Sequence, residues 1–371
     1  MGHPHCYGRR SESTGRCHVG RAGPVSTHTV TFQPAGVQIQ CREDQSIADA
    51  AEEQGVTLFI GCDNGVCEVC KADRLSGSFR FRNALGQTIL EQDDQVLCCV
   101  AHPLTDTEIY MEDVYPADHL PPRTLACQIT AVELLGDNVW RVELLAPAGK
   151  AIEFWPGQYL LLHITDAQGR EEQVPYSIAC APGSLTGGDP RRLELHIADH
   201  SDNASQVLAF LRQAVVVRVT LPQGDCFISP RILQQHRGQP LLMIAAGSGF
   251  SQIKSLVEGA LAINPQQEIH LYWSNRQPGG FYLSQLPLQW AQQFANVHYH
   301  PIIEQHSNGW DGRAGWIYQV IHEDFTDLSH TQVFACGSPN MVYGTLDQLA
   351  PLGLTQKNMH ADVFSYAPRS E

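Results

Sequence analysis

Basic residues are scarce in this chain: 24 Lys and Arg face 39 Asp and Glu over 371 residues, for a formal net charge of −15. That balance removes the basic footprint on which non-specific nucleic-acid binding depends, so no nucleic-acid partner is expected. Long apolar runs are also missing. The best of them, Pro240–Ala246, falls far short of the roughly twenty apolar residues that span a bilayer, and no membrane insertion is expected. Residues 1–26 hold Arg and His but no apolar stretch followed by a cleavage site, which argues against a secretory signal and points to a cytoplasmic protein. What the chain does have is a globular composition, 43% hydrophobic and 17% charged, at a length that calls for two or three domains.

Twelve cysteines would suit a disulfide framework in a small secreted domain. In a long chain without a secretory signal, clustered cysteines point to metal or redox chemistry instead. His3, His5, Cys6, Cys17 and His18 offer metal donors, but residues 1–26 lack apolar periodicity and read as a poorly ordered tail. Residues 27–115 open with a hairpin, HTVTF and GVQIQ around Pro34-Ala35-Gly36, then a short helix capped by Ser46 and closed by Gly55. A Cys-bearing strand, Gln95–Val100, follows, and the Pro-containing residues 116–123 read as a semi-rigid linker. Residues 124–236 alternate in short β runs (CQITAVELL, VWRVELL, QYLLLHI, RLELHIA, VVVRVTL), interrupted by a helical piece, Ser205–Arg212, which predicts an antiparallel barrel. From 237 to 371 the pattern becomes strand, Gly-rich turn, helix and strand, which predicts an α/β domain on a parallel sheet.

The most specific signal is Cys62-x4-Cys67-x2-Cys70 with Cys98-Cys99 downstream. This is the plant-type [2Fe–2S] spacing: three thiolates from one tight loop, the fourth from a distant segment. Gly61 and Gly65 let the loop curl so that backbone N–H groups point at sulfur. The alternative is a zinc site on the Cys67-x2-Cys70 pair with two other thiols, which would make the chain a zinc-stabilised, non-enzymatic binding module. Adjacent strand residues point to opposite faces, so only one of Cys98 and Cys99 reads as a ligand.

Taken together, these units resemble the iron–sulfur flavoprotein reductases, in which a β-grasp ferredoxin domain is joined to a six-stranded flavin-binding barrel and a nicotinamide domain like those of ferredoxin–NADP⁺ reductase. The resemblance covers roughly Thr29–Tyr366. It selects Cys99 as the fourth metal ligand, because VLCCVAHPLTD looks like the family's closing segment. In the barrel, Trp155-Pro156-Gly157-Gln158-Tyr159 and Pro175-Tyr176-Ser177 resemble flavin motifs, which implies Tyr176 against the isoalloxazine and Ser177 near its N5. His196 and Gly224 lie in further barrel signatures, and Ser205 is the implied phosphate anchor at a helix N-terminus. Two departures stand out: Val174 replaces the motif's Arg, and Asp202 brings negative charge to the phosphate loop. FAD is the implied flavin, with FMN the variant that a thin phosphate anchor allows.

Gly247-Ser248-Gly249 after an apolar strand, Cys336-Gly337-Ser338-Pro339 and Arg276 after EIHLYWS mark the nucleotide site for NADH or NADPH. By resemblance Cys336 sits beside nicotinamide C4 and Phe364 covers the flavin. The implied function is an NAD(P)H-dependent reductase that passes electrons through flavin and [2Fe–2S] to a separate oxygenase or dehydratase component, docked at the cluster loop with Asp63 and Glu68 on its rim. The rival enzymatic reading is reduction of free flavin as a substrate.

Overall fold

The alternation in HTVTF and GVQIQ produces the expected hairpin: Thr27–Gln33 pairs antiparallel with Val37–Arg42 and buries Val30, Phe32, Ile39 and Cys41 on one face. The structure of the chain, a computed structural model, describes residues 25–369 except 84, 88–93, 117, 150–151, 166–168 and 186–187. His3, His5, Cys6, Cys17 and His18 lie outside the described residues. The chain divides into two compact units, Met1–His119 and Leu120–Glu371.

In the first unit the hairpin extends to a five-stranded sheet in the order Val37–Arg42, Thr27–Gln33, Thr107–Tyr110, Lys71–Ser76, Gln95–Leu97. The pairing of Thr27–Gln33 with Thr107–Tyr110 is parallel. The helix Ile47–Glu53 packs Ile47, Ala48, Ala50 and Ala51 into the core, and its start is fixed by a reciprocal capping box between Ser46 and Asp49. This is a β-grasp ferredoxin fold. One element differs from the sequence reading: the strand expected over Gln95–Val100 stops at Leu97, and Cys98, Cys99 and Val100 form a turn.

The second unit holds the two remaining folds. Six antiparallel strands run in the order Glu171–Ser177, Tyr159–Thr165, Val216–Gln223, Arg123–Gly136, Val139–Leu145, Arg192–Ala198. A bridge between Ile178 and Leu195 joins the two ends of this order and closes the barrel. The helix Asp202–Gln213 packs Ala204, Val207, Leu208 and Leu211 into the barrel core. Beyond it, six parallel strands run in the order Arg313–Ala314, Val297–Ile303, Ile269–Asn275, Leu241–Ala246, Gln332–Cys336, Met359–His360, with an apolar core on each face. Leu241–Ala246 and Ile269–Asn275 are almost wholly buried because helices cover both sides. Among the described residues no helix is long and apolar enough to cross a membrane.

Candidate cluster loop and nicotinamide site

The cysteine loop is shaped by two left-handed residues, Gly65 at φ 77° and Glu68 at φ 56°. Gly61 serves differently: a Cβ there would stand 3.0 Å from the Cys67 sulfur. The result is two thiol pairs. Within one, the Cys67 N–H donates to Cys62 Sγ at 3.4 Å; within the other, the Cys99 N–H donates to Cys70 Sγ at 3.4 Å. Backbone N–H groups of Cys67, Asn64 and Val66 pull the half-buried Cys62 thiol down to about 6, so it is ready to act as a thiolate. Burial, with the Cys70 side chain, pushes Cys99 up to about 12. Such a thiol binds metal by giving up its proton to it.

Cys98 turns the other way. It is wholly buried, and burial raises its thiol further. Because both residues lie in a turn, strand alternation does not separate them; their burial and neighbours do. Among the described residues, the one group of three or more His, Cys, Asp or Glu donors mutually within 4.8 Å is elsewhere in the chain, so no three of these four sulfurs come that close. A single zinc ion would draw all four to roughly 3.8 Å from one another. A two-iron cluster needs two pairs, and two pairs are present.

The barrel places Ser177 opposite Tyr159 in adjacent strands, with Tyr176 half-buried and its phenol raised to about 12 by burial. Gly224, at φ 88°, leaves room for the Tyr159 ring and Asp362, each 2.8 Å from where a Cβ would fall. The structure places four of the residues singled out in the sequence as follows. Ser205 is not at a helix N-terminus: Ser201 caps the helix by accepting from Ala204 N–H, and Ser205 lies one turn in, its hydroxyl donating to Asp199. Asp202 is the first helical residue, where a carboxylate satisfies the helix dipole itself. His196 is buried between Glu194 and Tyr282, away from solvent. Phe364 is half-buried and packs on the core beside Tyr343, whereas Tyr366 two residues on is 65% exposed, its phenol raised by partial burial and the nearby Asp362 carboxylate.

At the carboxyl ends of the parallel strands lies a pocket of about 1130 Å³, lined by Gly247, Ser248, Arg276, Ser338, Trp316 and Tyr318 among others. Two helix starts face it. One follows the turn Gly247–Gly249; the other, Pro339–Leu349, is capped by Ser338, which accepts from Met341 N–H. Helix N-termini with exposed N–H groups suit a diphosphate. Gly249 has a structural reason beyond nucleotide approach: a Cβ there would lie 2.3 Å from the Cys336 carbonyl oxygen. Cys336 and Gly337 follow directly behind this contact at the end of their strand. Burial and the nearby Asp362 carboxylate push the Cys336 thiol up to about 12, which keeps it neutral.

Asp362 is the residue that the sequence reading passed over. It accepts from Gln252 Nε2 at 2.7 Å, lies beside Gly224, and is near enough to Cys336 for its charge to be felt there. Burial raises its carboxyl from 3.8 to about 6. The native state therefore binds this proton more tightly than the unfolded chain. Its contribution to stability is complete below about pH 4 and is lost as pH rises through 6, a swing of about 3 kcal/mol. Asp362→Asn should accordingly gain on wild type in melting temperature between pH 4 and 7, and parallel pH curves would contradict the assignment.

The barrel and the nicotinamide domain share a buried polar seam. Lys254, from the helix after the Gly-rich turn, lies 2.9 Å from Glu258 and 3.2 Å from Glu194, and donates to the Ala179 carbonyl at 2.7 Å. Burial opposes charge on Lys254, but the two carboxylates hold it above its ordinary value. Glu194 drops to about 2 despite its burial, through His196 and Lys254. His196, lowered by burial, stays neutral; its Nε2–H donates to Glu194, which leaves Nδ1 to accept from the Tyr282 hydroxyl at 3.1 Å.

Comparison with known proteins agrees with these folds. Residues 30–104 match the 2Fe-2S iron-sulfur cluster binding domain, and residues 243–347 match the oxidoreductase NAD-binding domain. The CDP-6-deoxy-L-threo-D-glycero-4-hexulose-3-dehydrase reductase of Yersinia pestis is 29% identical over 341 residues, covering 90% of this chain and 98% of that protein. The terephthalate 1,2-dioxygenase reductase component 1 of a Comamonas species is 27% identical over 344 residues, covering 92% and 98%. A crystal structure of an Amycolatopsis cytochrome P450 reductase superposes with a TM-score of 0.59 at 24% identity, over 91% of this chain and 98% of that one, which supports the fold. The chain is thus an iron–sulfur oxidoreductase. More narrowly, it is an NAD(P)H-dependent oxidoreductase with [2Fe–2S], flavin and nicotinamide sites in one polypeptide, and it is similar to the ferredoxin-fused reductase components.

Proposed function

We propose that the protein is the reductase component of a two-part system, taking electron pairs from NAD(P)H and delivering single electrons to a separate oxygenase or dehydratase component in the cytoplasm. The observation that carries this reading is the division of Cys62, Cys67, Cys70 and Cys99 into two hydrogen-bonded pairs beside an open face. Flavin converts the electron pair to single electrons, and a plant-type cluster at about −400 mV passes them on. The protein's part is placement. Gly247, Gly249, Gly337 and Arg276 receive the nucleotide; Cys336 and Asp362 shape the nicotinamide end; Tyr176, Ser177 and Gly224 face the flavin, and Tyr366 replaces Phe364 as its aromatic cover. For the partner, exposed Phe59, Ile60, Val66 and Val69 give an apolar centre, with Asp63 and Glu68 at its edge.

Purified protein should keep its flavin through gel filtration and reduce cytochrome c with NADH or NADPH. One feature favours a second reading, free-flavin reduction: the Ser205 hydroxyl is engaged by Asp199, and Asp202 is negative where a flavin phosphate would lie. Flavin lost on gel filtration, with saturable dependence of NADH oxidation on added FMN or riboflavin, would favour it over the relay.

A further inference from the structure

The nicotinamide domain carries a second donor cluster, at the opposite ends of its strands from the nucleotide pocket. His270 and His298 are register partners on neighbouring parallel strands, their rings stacked with centroids 4.7 Å apart. Glu268 stands just before the first of these strands, its Oε1 3.1 Å from His270 Nε2. One donor atom from each of the three lies within 4.8 Å of the other two. Strand pairing sets His298 beside His270, and the hydrogen bond brings the Glu268 carboxylate to the same point.

The geometry points to a surface site for a borderline divalent transition metal ion, Zn²⁺ in chemical class, held by Glu268, His270 and His298. Two imidazoles with one carboxylate suit Zn²⁺, Ni²⁺ or Cu²⁺ and leave Mg²⁺ and Ca²⁺, which want oxygen, poorly served. Ligands at metal bonds of about 2.1 Å sit roughly 3.0–3.4 Å from one another. Glu268 and His270 are already at that separation. His298 and Glu268 are exposed, so each can turn to close the remaining gap and leave a coordination position for water. The site has a built wall behind it: Phe325 meets the His270 ring edge-on at 5.0 Å, and the His300 ring lies parallel to it at 6.2 Å. The His300 Nε2 is buried without a hydrogen-bond partner. An ion here would clamp Ile269–Asn275 to Val297–Ile303 and stabilise the domain by mass action without touching the pocket.

The test is calorimetric titration of the full-length holoprotein with ZnCl₂, wild type against His270→Gln/His298→Gln, with melting temperature read in parallel. Donors elsewhere in the chain are common to both proteins and cancel. The double variant should bind one Zn²⁺ fewer and lose the Zn²⁺-dependent rise in melting temperature. Glu268→Gln alone should weaken that one site at least about tenfold. Should the double variant fail to retain its flavin and cluster absorbance, the exposed Glu268→Gln decides. Equal stoichiometry and affinity in wild type and variants would overturn the site.

Discussion

Cys67→Ser lowers NADH-driven cytochrome c reduction on the order of 100-fold while ferricyanide reduction stays within about twofold of wild type. The split follows from where each acceptor draws its electrons. Ferricyanide is small enough to take them at the flavin, whereas the relay delivers them to cytochrome c through the cluster. The substitution keeps the Cys67 N–H that holds the Cys62 thiol near 6, and it removes only one sulfur from an exposed position. The core of the first unit, built on Phe32, Ile39, Ile47 and Ile109, does not include that side chain. A matching loss in both assays would mean that the damage lies outside the cluster, and undiminished cytochrome c reduction would sink the relay.

Lys254→Met destabilises the second unit by about 3–5 kcal/mol, the cost of leaving buried carboxylates without their cation. Glu194 and Glu258 both close on the ammonium from within 3.2 Å, and Glu194 is buried. With the charge gone, one carboxyl must take up a proton, so the loss should shrink as pH falls toward 4. Chemical denaturation followed by Trp fluorescence reads it, since Trp273 and Trp290 sit in the core beside this helix. A variant as stable as wild type at pH 8 would show that the seam carries no load. Loosening it should also raise KM for NADH, because Tyr282, at the far end of the same hydrogen-bond chain, lines the nucleotide pocket.

What could be read from the sequence was local. Cys62, Cys67 and Cys70 declare themselves through spacing within nine residues, and Ser46 through its position before an apolar-periodic run. The parallel sheet follows from buried strands alternating with helices. The sequence is ambiguous where two neighbouring residues offer the same chemistry. Ser201 and Ser205 can both cap a helix, and only the backbone turn at Ser201 chooses between them. Phe364 and Tyr366 share a helix of four residues, too short for periodicity to say which ring faces the core. Cys98 and Cys99 read as strand residues, but the strand ends at Leu97, and packing makes the distinction that alternation does not. Asp362 and the Lys254 seam were illegible for another reason: their partners, Gln252 and Glu194, are 110 and 60 residues away in the chain.

The most direct test of the relay is anaerobic rapid mixing of the holoprotein with one equivalent of NADH or NADPH, following flavin absorbance and the EPR signal of the reduced cluster together. Bleaching of flavin first, then partial recovery as the cluster signal grows to a comparable amplitude, is the predicted order. Full flavin reduction with a cluster that stays oxidised would contradict the account.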